Sequence, residues 1–179
     1  YRTNVDAAYR KTKVQQAESL KDFVDILSKL PLEFSPGDKW NYSVSTDVLG
    51  YLVEVLSGME LEDYFKKYIF TPLEMNDTSF SCPKNKLDRL CSLYEHDPVG
   101  IPKLLEIPFL NTRMASGGGG LFSTMHDYHN FCHMLLHDGE FEGKRIIGRK
   151  TLELMTTNHL PDNQDLTEMS ESAFSETPY

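Results

Sequence analysis

A chain of 179 residues with 40% hydrophobic and 25% charged content has the makeup of one ordinary globular domain, long enough for a substantial core if it forms a complete folding unit. Its formal net charge of −9, with Lys and Arg scattered, excludes a nucleic-acid partner bound through its phosphates, and no apolar run approaches the roughly 20 residues of a membrane span. Cys82, Cys91 and Cys132 follow no C-x-x-C spacing, which excludes a disulfide framework or a zinc ribbon and predicts buried free thiols.

The first predicted helix runs from Ser19 to Lys29. Leu20, Phe23, Val24, Leu27 and Leu30 recur at helical spacing behind a Ser19/Asp22 capping pattern, and Pro31 stops it. Turn chemistry at Pro36-Gly37-Asp38 leads into a second helix over Ser45 to Ser57. Val48, Leu49, Leu52, Val53 and Leu56 form its apolar face, with Gly58 as the C-terminal cap. A third, short helix covers Leu61 to Phe70, with Leu61, Phe65, Tyr68 and Ile69 on one side, and Pro72 prevents its continuation. From Ser81 to Asn111, mixed periodicity and prolines predict connecting structure with short strands or turns. The run Gly117-Gly118-Gly119-Gly120 precedes a fourth helix over Thr124 to Leu136, stopped at Gly139. A fifth is expected over Lys150 to Thr157, ahead of an irregular tail beyond Asp162. The inventory is rich in helix and poor in strand, so these residues by themselves cannot supply the central sheet of an α/β enzyme.

One tyrosine stands where a turn gives way to a helix, in Trp40-Asn41-Tyr42-Ser43-Val44. The macrodipole and the unpaired N–H groups of that helix end favour an anionic or hydrogen-bond-accepting phenolic oxygen, the environment of a tyrosine base. A tyrosine beside a tryptophan is also a common packing residue, so position by itself leaves both roles open. His126, His129, His133 and His137 form a stripe on the fourth helix, and i, i+4 histidines can chelate a metal. Tyr128, Phe131, Leu135 and Leu136 occupy the other stripe, so the histidines are expected to face solvent. No Glu completes a His-Glu-x-x-His pattern, and no metal or other cofactor is assigned. The glycine run reads as a close-approach loop, since no Gly-Lys-Ser/Thr follows to make a phosphate cradle.

Four blocks in order resemble the serine β-lactamase-related family, which includes class C β-lactamases and penicillin-binding-protein-like esterases. They are Pro36-Gly37-Asp38-Lys39-Trp40-Asn41-Tyr42-Ser43, then Leu56-Ser57-Gly58, then Pro72-Leu73-Glu74-Met75-Asn76-Asp77-Thr78, then Gly118-Gly119-Gly120-Leu121-Phe122-Ser123-Thr124-Met125-His126-Asp127. The resemblance implies an α/β (α+β) fold of the β-lactamase/transpeptidase-like type, an antiparallel sheet flanked by helices, with this segment mostly in the helical subdomain. It also implies that residues 1–179 are an internal part of one such domain, with a Ser-x-x-Lys motif upstream and a strand motif downstream. Their inward helical faces would then lie partly uncovered in the segment alone.

The activity implied is acyl transfer on a small-molecule ester or amide. A serine attacks a carbonyl, a Lys/Tyr pair moves its proton, and water hydrolyses the acyl-enzyme. Tyr42 matches the family's proton-shuttling tyrosine, Ser43 and Val44 follow it at the pocket edge, and Gly119 matches a pocket-lining position. Where many β-lactam hydrolases carry Tyr-x-Asn, this chain has Tyr42-Ser43-Val44. Val44 cannot donate the asparagine's hydrogen bond, which favours carboxylic esters over β-lactams. Gly119 offers no side chain, which implies a more open pocket.

Two strings imitate the missing motifs. Ser81-Cys82-Pro83-Lys84 follows the tyrosine where the family's Ser-x-x-Lys precedes it, and Pro83 obstructs the helical turn that would pair serine with lysine. His137-Asp138-Gly139 mimics a His-x-Gly strand motif but sits where a helix ends. A non-catalytic relative used as a binding module, and a metal-binding module built on the histidine stripe, are the alternative readings of these residues.

Overall fold

The computed structural model describes residues 4–95, 100–105 and 114–164. Six α-helices are described: α1 (Asn4–Thr12), α2 (Leu20–Leu27), α3 (Ser45–Ser57), α4 (Leu61–Phe65), α5 (Met125–Leu136) and α6 (Arg149–Met155). Strands β1 (Leu93–Glu95) and β2 (Lys103–Leu105) form one antiparallel pair, and β3 (Glu140–Phe141) and β4 (Lys144–Arg145) another. Among the described residues the architecture is thus mostly helical with two minimal sheets, as the sequence predicts. The predicted tail falls largely in residues 165–179, outside the described residues.

The caps form as expected. The Ser19 hydroxyl accepts from the Asp22 N–H at 3.1 Å and starts α2, and Gly58 closes α3 in the left-handed region at φ 68°. Helix α1 has no counterpart in the predicted set; Tyr9 on it packs against the buried Val14, Ala17 and Phe23. The β3–β4 hairpin is also new, and its turn residues Glu142 and Gly143 both take positive φ, the geometry that fits strand twist.

The third predicted helix changes character midway. Its α-helical part ends at Phe65 and continues as a wide π turn over Lys66–Phe70, in which the Thr71 N–H reaches the Lys66 carbonyl at 2.9 Å. Widening the turn carries Phe70 into the core and leaves Tyr68 exposed, so the face predicted from α-helical spacing shifts.

Three apolar clusters make up the core. Phe70, Leu73, Met75, Met134 and Phe141 form the first, Val14, Ala17 and Phe23 the second, and Leu20, Leu61 and Phe80 the third. Phe65 packs on the first and third, and Met114 on the second and third, which makes the clusters continuous.

Three expectations about burial are overturned in whole or in part. Helix α3 turns its Gly50 side inward, because only a glycine lets Leu61, Leu20 and the Gly117 backbone approach so closely. A Cβ at position 50 would meet them at 3.0 to 3.3 Å. Of the predicted apolar face, Val53 packs against the Leu20–Leu61–Phe80 cluster and Val48 is half-buried, while Leu49, Leu52 and Leu56 are exposed, Leu56 at 78%. On α5 the expected stripe holds in part: Phe131 and Leu135 pack against the Phe70–Leu73–Met75 cluster, whereas Tyr128 and Leu136 point outward and Asp127, Asn130 and Met134 are buried. The thiols are free but not buried: Cys82 is half-buried, and Cys91 and Cys132 are exposed on a surface loop and on the outer stripe of α5.

Candidate active site

Tyr42, Ser43 and Val44 occupy the turn that enters α3. Val44 is the N-cap and has no side-chain acceptor to offer, so the Ser43 hydroxyl takes the Ser45 N–H at 3.2 Å and also bonds the Ser45 hydroxyl at 2.6 Å. Val44 itself is half-buried against the Val14–Ala17–Phe23 cluster. This apolar anchorage holds the turn in place, and Tyr42 emerges from it 58% exposed.

The glycine run comes to the same end of α3. A Cβ on Gly117 would stand 2.2 Å from the Thr46 carbonyl oxygen, and one on Gly118 2.9 Å from Asp47 Oδ2 and from Thr46 Oγ1. Backbone therefore lies directly on the first turn of the helix. Asp47 fixes the contact. Buried at 7% exposure, its Oδ1 accepts from the Ser116 hydroxyl at 2.5 Å and from the Gly118 N–H at 3.3 Å, while Ser116 Oγ accepts a second bond from the same N–H at 3.2 Å. Gly119, in contrast, has open space around it. The tyrosine turn and the open glycine, 77 positions apart in the numbering of the chain, thus flank one helix terminus. Sequence reading missed Asp47, since an acidic residue in the first turn of a helix is ordinarily a surface complement to the dipole. The signal available was its spacing, five residues after Tyr42 and on the Gly50 side of α3.

The other motif blocks serve the scaffold. Asp127 Oδ2 accepts from the Asp77 N–H at 2.7 Å and the Thr78 hydroxyl at 2.8 Å, and Asn130 Nδ2 donates to the Leu73 carbonyl at 3.0 Å. An antiparallel bridge between Ser79 and Phe122 continues this seam. Asp77 is itself gripped by Arg89 at 2.8 and 2.9 Å and by Lys86. Its hydrogen bonds to those two cations hold its carboxyl well below the ordinary carboxylate range.

The two imitating strings resolve geometrically. Pro83 is extended (φ −59°, ψ 143°) and Lys84 begins a separate 3₁₀ helix, Lys84–Arg89, so Ser81 and Lys84 do not share an α-helical turn. His137 terminates α5, and Gly139, at φ 86°, donates to the Met134 carbonyl at 3.0 Å in a helix-ending turn. His126, His129 and His137 are exposed, whereas His133 is half-buried with its ring edge-on to Phe141 and stacked on His137 at 4.0 Å. Among the described residues no three His, Cys, Asp or Glu side chains are grouped to hold a metal, and no helix is long and apolar enough to cross a membrane.

Protein Rv1367c of Mycobacterium tuberculosis is 32% identical over 168 residues, covering 89% of this chain and 40% of that protein. The chain spans about two fifths of the length of the curated relatives it matches first. Among solved structures, EstCE1, a hydrolase with promiscuous acyltransferase activity, aligns at a TM-score of 0.69 and 24% identity over 83% of this chain and 44% of its own. Simvastatin synthase (LovD) from Aspergillus terreus aligns at 0.69 and 23% identity over 89% and 40%. These two likenesses establish the β-lactamase/transpeptidase-like fold. The Beta-lactamase family model matches residues 2–175, and its span takes in both the tyrosine turn and the glycine run that meet at α3; the chain belongs to the serine β-lactamase-related family.

Proposed function

We propose that the intact protein carrying this chain is a serine hydrolase acting through an acyl-enzyme on small carboxylic esters, with Tyr42 as the proton shuttle. The nucleophilic serine and its lysine belong to a Ser-x-x-Lys motif upstream of these residues. In the first step the serine oxygen bonds to the carbonyl carbon, the Tyr/Lys pair takes the serine proton, and the leaving alkoxide receives it. Water then releases the acid by the reverse relay. The 179-residue segment, without its nucleophile, is inactive on this reading.

The observation that carries the proposal is the exposed Tyr42 on the turn into α3 with the open Gly119 brought to the same helix end. Membership of the family supports the reaction class, and the acyltransferase activity named for EstCE1 fits it. Val44 supports esters over β-lactams, because it packs inward and offers no hydrogen bond to a substrate amide. Gly119 leaves room for bulkier acyl groups.

The test compares a short-chain nitrophenyl ester with a chromogenic cephalosporin on the full-length protein. Ester turnover should dominate, and Tyr42→Phe should lower kcat by about 100-fold or more with the fold intact. Preferential cephalosporin hydrolysis, or an undiminished Tyr42→Phe variant, refutes the proposal.

A further inference from the structure

We propose that Asp47 is a positioning residue that sets the glycine loop against the tyrosine turn and thereby fixes the width of the substrate site, an inference that rests on the serine-hydrolase reading above. Two donors on the loop, the Ser116 hydroxyl and the Gly118 N–H, converge on its Oδ1, and the Gly118 N–H is shared with Ser116 Oγ. The three groups close a triangle. Its seating is restricted sterically, since a Cβ at Gly117 or Gly118 would collide with Thr46 or Asp47. Between this anchor and the Ser79–Phe122 bridge, a Cβ at Gly119 or Gly120 would meet nothing within 4 Å, so Asp47 is the hold on the Gly117 side of the open glycines.

Tyr42 and Ser43 leave the same helical turn in the opposite chain direction, held by the Ser43–Ser45 hydrogen bonds. One flank of the site is therefore the turn that runs directly into α3, and the other flank is tied to α3 through Asp47. An acyl group lodged between them depends on that tie for its contacts. Release of the anchor alters substrate fit more than the chemical step, because Tyr42 keeps its own attachment to the helix.

The experiment uses the full-length protein and a short-chain nitrophenyl ester, with amide hydrogen exchange at Gly118 as a readout independent of turnover. Asp47→Ala should raise KM about tenfold while kcat stays within about threefold, and should speed Gly118 exchange about tenfold. Asp47→Asn retains an acceptor oxygen and should restore both to within about threefold of wild type. Ser116→Ala should shift KM in the same direction, and combining it with Asp47→Ala should add nothing further, because the two share one interaction. Should Asp47→Ala fail to fold, the Asn and Ser116→Ala variants carry the comparison. Unchanged KM and unchanged Gly118 exchange in a folded Asp47→Ala or Ser116→Ala protein overturn the inference, as does a loss confined to kcat. Tyr42→Phe tests the hydrolase reading separately: if it leaves kcat intact while the Asp47 variants still move KM and exchange, the reading falls and the anchoring role stands.

Discussion

Thr78 and Asp127 lie 49 residues apart in the chain and meet through a buried 2.8 Å hydrogen bond from the threonine hydroxyl to carboxyl Oδ2. The other oxygen of the same carboxyl accepts from Thr124 Oγ1 at 3.1 Å, and Thr124 in turn caps the Asp127 N–H at 3.1 Å. A single acid therefore closes the start of α5 and staples it to the loop after Pro72. Ser123 extends the network, its hydroxyl lying 2.8 Å from that of Thr78.

Removing that carboxyl should be costly. Asp127→Ala leaves the Asp77 N–H and the Thr78 hydroxyl without their acceptor in a site 3% exposed, and the expected loss is about 2–4 kcal/mol. Asp127→Asn keeps one acceptor oxygen and should lose roughly half as much. Urea unfolding measures both. A fall in the midpoint at constant slope is the expected result, and an Asp127→Ala protein within about 0.5 kcal/mol of wild type contradicts the assignment.

Neighbouring glycines should respond in opposite ways. A methyl on Gly117 would lie 2.2 Å from the Thr46 carbonyl oxygen, which is backbone and cannot swing aside, so Gly117→Ala should cost about 3 kcal/mol or more. Gly119 has nothing within 4 Å and does not require the left-handed region. Gly119→Ala should stay within about 0.5 kcal/mol of wild type, with a small gain where the unfolded chain loses freedom. Thermal melts of the two variants side by side decide the matter, and equal damage from both would remove the distinction between anchor and open edge.

What the sequence revealed, and what it hid, follows from the range of the interactions involved. Ser19, Gly58 and Thr124 act on residues no more than four positions away, and the helix ends they mark stand where local chemistry predicts. The inward face of α3 was not legible, because it is chosen by contacts of Gly50 with Leu61, Leu20 and Gly117, all from other elements. The π turn at Lys66–Phe70 breaks the α-helical period from which Tyr68 was placed. Asp47 and Asp127 look like ordinary first-turn acids, and only their partners at Ser116, Gly118 and Thr78 set them apart. The tyrosine turn was legible through its motif, yet the residue that ties it to the glycine run was not.

Stability should depend on pH through Glu54. Burial raises its carboxyl above the ordinary value of 4.5, with nearby Glu60 adding to the effect and a 3.0 Å hydrogen bond from the Leu61 N–H opposing it. A carboxyl raised in the folded state contributes stability below the ordinary value and loses it as pH climbs through the raised one. Glu54→Gln keeps an acceptor for Leu61 and never ionises. It should match wild type near about pH 4 and melt higher near about pH 8. A variant that gains nothing at the higher pH removes burial of the charge as the cause.

The uncovered helical faces should govern association of the 179-residue chain. Leu49, Leu52 and Leu56 form an exposed stripe along α3, and Met125, Tyr128 and Leu136 another along α5, with Met125 at 90% and Leu136 at 81% exposure. Apolar residues aligned in this way leave water on contact with a second surface, whereas singly scattered ones have no such opportunity. Because these side chains are already exposed, replacing Leu52 and Leu56 by lysine should change folding stability by no more than about 0.5 kcal/mol per site. The same pair of changes should weaken concentration-dependent association. Sedimentation velocity over a tenfold concentration range distinguishes the outcomes. A wild-type chain that remains monomeric throughout shows the stripes to be inert, while a double variant that associates as strongly as wild type removes the α3 stripe as the contact.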